Sequence, residues 1–127
     1  MINIEIPNYS ERLSISEIHK VKLETGFYFM RDLSGEIVYI GEALNLRRRL
    51  RKHMTGGNGT TKRFYHVFKT IDIFYCDRKE RKIYELYAIN KYDPVGNVDG
   101  NETANKSILR KRREDWIESL SKDSKIV

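Results

Sequence analysis

Two three-residue words constrain this chain more than anything else in it. Gly26-Phe27-Tyr28 and Tyr39-Ile40-Gly41 stand eleven residues apart, tyrosine to tyrosine. Each lies in an aromatic and β-branched run too short for a helix, Thr25 to Arg31 and Glu36 to Gly41. Between them, Asp32-Leu33-Ser34-Gly35 has turn composition, with Gly35 free to take a positive φ. Two such strands joined by one tight turn make an antiparallel hairpin.

The rest of the chain is read around that hairpin. Residues 1–13 look like an irregular arm. Ser14 with Glu17 three residues on is a capping-box pattern, which predicts a short helix over 15–24 with Ile15, Ile18 and Val21 inward. Asn45 caps a helix over 46–54, with Leu46, Leu50 and Met54 or His53 on its inner stripe. Residues 55–61 read as a flexible Gly-rich loop, and 63–68 fit either helix or strand. Residues 70–76 alternate as a third strand. Asp77 and Glu80 open a helix over 78–92, with Ile83, Leu86, Tyr87 and Ile89 or Asn90 on its buried side, and Asp93-Pro94 stops it. A last amphipathic helix covers 106–121 through Leu109, Trp116, Ile117 and Leu120, and the tail beyond reads as frayed. The expected fold is α+β, a small three-stranded antiparallel sheet flanked by helices. A length of 127 residues suits one domain: an arm and helix over 1–24, a motif core over about 25–99 and a basic helix over 100–127.

Charge narrows the partner. The chain carries 24 Lys and Arg against 18 Asp and Glu, a net +6. Residues 47–69 hold eight of those cations and no acid, which makes a patch suited to a polyanion. Arg47, Arg48, Arg51, Lys52, Lys62, Arg63 and Lys69 are candidate DNA-backbone contacts, and Arg110 and Lys111 extend the set. Phe64, Tyr65 and Phe68 suit the core better than base stacking. One cysteine, Cys76, excludes an intrachain disulfide and suits a reducing, cytoplasmic compartment. No run reaches the roughly 20 apolar residues of a membrane helix. Zinc-ligand spacing is absent.

The chemistry-bearing residues fall in order along this frame. Arg49 follows Gly41 by eight residues, His53 lies one helical turn further, and Glu85 precedes Asn97 by twelve. With Gly-Phe-Tyr and Tyr-Ile-Gly in front, this order closely resembles the GIY-YIG endonuclease superfamily over roughly residues 25–99. The first motif reads GFY rather than GIY, an apolar exchange at its middle position.

The resemblance implies a divalent-metal-dependent DNA endonuclease. Glu85 is implied as ligand of one Mg²⁺ or Mn²⁺ ion, a hard oxygen donor for an ion that keeps several waters. Tyr28 is implied as general base or proton relay, and Tyr39 as the group that positions the water or phosphate. Arg49 offers a fixed fork of donors to the scissile phosphate, and His53 is expected to hydrogen-bond the water, the tyrosine or the phosphate. Asn97 is expected to tie its loop to the sheet, and Gly26 and Gly41 to let backbone approach the site. Homing, restriction and repair enzymes share this layout. A small restriction-like, mobile-element or phage-type nuclease is the expected kind, monomer or homodimer. The rivals are a non-catalytic nucleic-acid-binding module that retains the fold, and a protein-interaction domain using the tyrosine-rich surface.

Overall fold

The computed structural model of the chain describes residues 4–102 and 104–126, the last five by backbone alone. Strands β2 (Gly26–Arg31), β3 (Ile37–Ala43) and β4 (Thr70–Tyr75) form on the three runs singled out above. A further strand, β1 (Glu11–Ser14), adds to them in the stretch expected to be an irregular arm. The sheet is therefore four-stranded and antiparallel, in the order β1-β4-β2-β3. β1 has no alternating apolar pattern; distant partners hold it. Arg12 donates from Nε and Nη2 to Asp72 at 2.6 and 3.1 Å, and Arg31 Nε donates to the same carboxylate at 3.0 Å.

Alternation along the strands sends side chains to two layers. Phe27, Phe29, Ile40 and Phe74 pack beneath α2 (Glu80–Tyr92) through its Ala88 and Ile89. Phe27 and Phe74 stack with ring centres 4.3 Å apart. Tyr28, Met30, Val38, Ile71 and Ile73 face the other way, where α1 (Leu46–Met54), Phe64, Phe68 and α3 (Lys106–Ile126) cover them. The α2 stripe differs in part from expectation: Ile89 is buried as expected, but Ile83 and Leu86 are exposed and Ala88 is buried instead. The helix is apolar on more than one side, so periodicity alone did not choose the face.

Other boundaries shift for local reasons. The Ser14–Glu17 capping box is present, but it opens a 3₁₀ turn over Ile15–Lys20, not a helix to residue 24. Val21 ends it in extended conformation with its side chain fully buried. Residues 63–68 resolve into one 3₁₀ turn, Tyr65–Val67, between the buried rings of Phe64 and Phe68. α3 continues through the expected frayed tail to Ile126.

One irregularity matters for the site. Register jumps from Met30↔Tyr39 to Arg31↔Ile37, leaving Val38 as a bulged residue in β3. Val38 and Tyr39 therefore both turn toward the α1 layer. β3 is also an edge strand, and the loop after α2 seals that edge. Gly96 N donates to the Val38 carbonyl at 2.8 Å. The Asn97 side chain accepts from Ile40 N and donates to Ile40 O, both at 2.8 Å. This satisfies outward backbone groups that would otherwise template another strand.

Candidate active site

Tyr28 sits mid-strand on β2, directly opposite Gly41 of β3. A Cβ at position 41 would lie 2.3 Å from the Tyr28 hydroxyl, so only glycine lets the phenol cross its neighbour strand. The hydroxyl meets His53 Nε2 at 2.6 Å. His53 projects inward from the last turn of α1, and its Nδ1 lies 2.6 Å from Thr61 Oγ1. Tyr28, His53 and Thr61 are all buried. They form a hydrogen-bonded chain in the sheet's α1 layer.

Burial sets the charge state of this chain. It pushes the Tyr28 phenol well above its ordinary pKa. Burial first, and then the Arg49 charge, pull His53 down to about 4. The imidazole is neutral at physiological pH, with one lone pair and one N–H to share between Tyr28 and Thr61.

Tyr39 lies closer to solvent. Its ring packs edge-on against His53, with centres 5.6 Å apart. It lines a cavity of about 310 Å³ together with Glu85 of α2, Thr60, Asn97, Asp99 and Arg113. The cavity wraps the β3 edge, so a residue facing the α1 layer and one from the helix on the opposite layer share it. Burial raises Tyr39 to about 12, with the Glu85 charge adding and Arg49 and Arg113 opposing.

Glu85 is half-buried. Burial, and then the negative charge of Glu42, raise its acid to about 7. Its carboxylate has no hydrogen bond or ion pair among the described residues, whereas Glu42 is held by Arg81 Nε at 2.6 Å. Arg49 is exposed on α1 and lines a second cavity of about 340 Å³ with Glu42, Arg48, Lys52 and Arg81. Its charge acts on Tyr28, Tyr39, His53 and Glu85 alike. The arrangement gathers two phenols, one imidazole, one arginine and one carboxylate without a direct hydrogen-bond or ion-pair partner around strand β3.

Residues 24–98 match the model of the GIY-YIG catalytic domain. The chain belongs to the GIY-YIG family. Membership makes it an endonuclease that hydrolyses phosphodiester bonds of DNA. Solved structures of the GIY-YIG N-terminal endonuclease domain of UvrC from Thermotoga maritima are similar to it. One, bound to magnesium as its catalytic divalent cation, is 27% identical with a TM-score of 0.59, over 65% of this chain and 93% of that one. A point mutant bound to its catalytic divalent cation also matches at 27% identity and TM-score 0.59, over 65% and 92%.

The basic residues of this GIY-YIG chain disperse. Arg48 and Lys52 line the cavity next to Arg49, and Arg51, Lys62 and Arg110 are exposed. Arg47 instead donates to the Val21 carbonyl at 2.5 Å, Arg63 pairs with Glu114 at 2.8 Å and Lys111 pairs with Asp115 at 2.7 Å. Lys69 lies beside Leu33, Trp116 and Leu120, away from the Glu85 cavity. Gly26 serves packing: a Cβ there would meet the Phe74 carbonyl at 2.1 Å and Leu46 at 2.8 Å.

Two participants left too little in the sequence to be found, and Arg113 entered the reading only as the end of the basic run from Arg110. Thr61 left no signal, because its contact with His53 crosses a loop. Glu42 directly follows Tyr-Ile-Gly, but its pairing with Arg81 depends on the packing of α2. Arg113 did leave a signal. It sits four residues after Leu109 and three before Trp116, on the helix stripe that faces inward.

Proposed function

We propose that this endonuclease cuts DNA with the help of one divalent cation, Mg²⁺ or Mn²⁺, held at Glu85. The single observation that carries the reading is the Glu85 carboxylate, half-buried beside Tyr39 and without a direct hydrogen-bond or ion-pair partner among the described residues. Among the described residues no three His, Cys, Asp or Glu side chains gather around a possible ion. A single carboxylate suits a small hard cation that completes its shell with water and phosphate oxygens. When bound, such a cation polarises the phosphate and offsets charge on the departing oxygen.

The chain's own residues supply the remainder. Arg49 presents its fork of N–H donors to the phosphate oxygens, where charge grows in the transition state. Tyr28 accepts the proton of the attacking water as its own hydroxyl proton passes to His53 Nε2. A bare phenol is a weak base at neutral pH, so a neutral imidazole 2.6 Å behind it provides the acceptor. Thr61 holds the far ring nitrogen, which fixes the imidazole plane. Tyr39, at the cavity wall, orients the water or the phosphate. Asn97 keeps the β3 edge, and with it Tyr39, in place.

The exposed cations of α1, Arg48, Arg51 and Lys52, support a DNA-backbone contact beside the cavity. Within the family, our reading is a restriction-like, mobile-element or phage-type nuclease. The deciding experiment is plasmid nicking with Mg²⁺ by the wild-type chain and by Glu85→Ala. Nicking by the wild type that vanishes in the variant and in EDTA is the expected result. Undiminished nicking by Glu85→Ala would remove that carboxylate from the mechanism.

A further inference from the structure

Arg113 belongs to α3, beyond the stretch that matches the family model, which ends at residue 98. Its side chain nevertheless lines the Glu85 cavity together with Tyr39. Its position on the helix is unusual for a cation. Leu109 and Ile117, four residues to either side, are both buried, so Arg113 takes a place on the apolar inner stripe.

Contacts on either side fix where it points. Arg112 grips Asp93 in a two-pronged pair at 2.8 and 2.9 Å. Glu114 pairs with Arg63, and Trp116 packs edge-on against Phe64 with ring centres 5.1 Å apart. Helix rotation is therefore pinned by the neighbours of Arg113, not by Arg113 itself.

The Nε of Arg113 is buried and has no hydrogen-bond partner, as is also true of the Arg112 Nε. Arg113 makes no ion pair among the described residues, although Arg12, Arg31, Arg63, Arg81 and Arg112 all do. A buried donor without a partner is costly, and an anion entering the cavity would offset that cost. Its charge already acts on the Tyr39 phenol, opposing the rise that burial causes.

We propose that Arg113 contacts a backbone phosphate of the DNA inside the Glu85 cavity, as a second arginine beside Arg49, so that α3 completes the active site. The inference rests on the metal-dependent endonuclease function argued above. It makes α3 part of the catalytic apparatus, where the family core alone would end before it.

The test uses the full chain, wild type and Arg113→Met, with Arg113→Gln in reserve should the methionine variant fail to fold. Two readouts are taken: kcat/KM for cleavage of a short duplex with Mg²⁺, and binding of the same duplex in EDTA across a salt series. The variant is expected to keep its helicity and melting temperature, since methionine suits an apolar stripe. It is expected to lose about 100-fold in kcat/KM, and its log K against log salt slope is expected to fall by about 0.9, one phosphate contact. A folded variant with wild-type kcat/KM and an unchanged slope would overturn the inference while leaving the endonuclease reading intact. A wild-type chain that cuts no DNA with Mg²⁺ or Mn²⁺ would overturn both.

Discussion

The Tyr28 hydroxyl and the Nε2 of His53 stand 2.6 Å apart, with Tyr28 1% exposed and His53 fully buried. At that distance the phenol and the neutral imidazole are hydrogen-bonded. Arg49 acts on both from α1. Removing either partner breaks the same path.

The kinetic consequence is non-additivity. Tyr28→Phe and His53→Ala are each expected to cost about 100- to 1,000-fold in kcat, in the range of general base catalysis. The double variant is expected to be no worse than the poorer single one, because residues acting as a unit do not add. A double variant whose loss equals the product of the two single losses would show that the residues act separately. Single-turnover cleavage of a short duplex gives all four rates.

Glu85 and His53 tie stability to pH with opposite slopes over overlapping windows. Folding raises Glu85 from its ordinary 4.5 to about 7, chiefly by burial. The unfolded chain therefore releases that proton first, and metal-free stability falls as pH rises from about 4.5 to 7. Glu85→Gln is expected to gain about 1–2 kcal/mol at pH 8 without metal, discounted for partial exposure, and nothing at pH 4. For His53, folding lowers the value to about 4. Its contribution is complete above about pH 6.5 and is lost as pH falls toward 4. Urea melts at a series of pH values in EDTA measure both effects, and a Glu85→Gln variant no more stable than wild type at pH 8 contradicts the first.

Gly41 tests whether the Tyr28 placement depends on the strand crossing. A Cβ there would lie 2.3 Å from the hydroxyl and 2.5 Å from the ring carbon that bears it. Gly41→Ala is expected to lose about 1–3 kcal/mol from overpacking and to lose cleavage as the phenol leaves His53. A stable, active Gly41→Ala chain would mean that the ring has room to shift without consequence.

Legibility in the sequence followed the range of the signal. α1 matched its expected bounds because cap, stripe and stop are all local: Asn45 Oδ1 accepts from Arg48 N, and Leu46 and Leu50 are buried. The three strongest strands were equally visible in their aromatic and β-branched runs. β1 was not, because Glu11-Arg12-Leu13-Ser14 becomes a strand through Asp72, some sixty residues away. The face of α2 was partly misread because Ile83 and Leu86 are apolar yet exposed, one beside Tyr84 and the other on the cavity wall. Of the site, the side chains named by motif could be found by order alone. Thr61 and the Glu42–Arg81 pair could not, since each exists only once two distant segments pack.

Asp72 separates folding from chemistry. It is 1% exposed and binds both Arg12 and Arg31, with the whole of β2 between it and the β3 edge. Asp72→Ala is expected to cost about 2–3 kcal/mol, because two guanidinium groups lose a buried partner but can still reach solvent. Cleavage per folded molecule is expected to stay at the wild-type level. A stable but inactive Asp72→Ala chain would connect β1 to the site by a route the packing does not show.

Asn97 is the sharpest probe of how the edge of β3 is held. Its amide donates to one backbone group of Ile40 and accepts from the other, both at 2.8 Å and both buried. Asn97→Ala removes both bonds and leaves a buried N–H and C=O unpaired, an expected loss of about 2–3 kcal/mol. Asn97→Asp keeps the acceptor for Ile40 N but sets a second acceptor against the Ile40 carbonyl, so it is expected to be at least as destabilising above the carboxylate's pKa. Tyr39 is the residue before Ile40 and lines the cavity, so both variants are expected to lower kcat about tenfold or more even where they remain folded. Thermal melts at pH 8 paired with single-turnover rates below the melting point distinguish the two effects. Asn97→Asp as stable as wild type would show that its amide does not hold the strand.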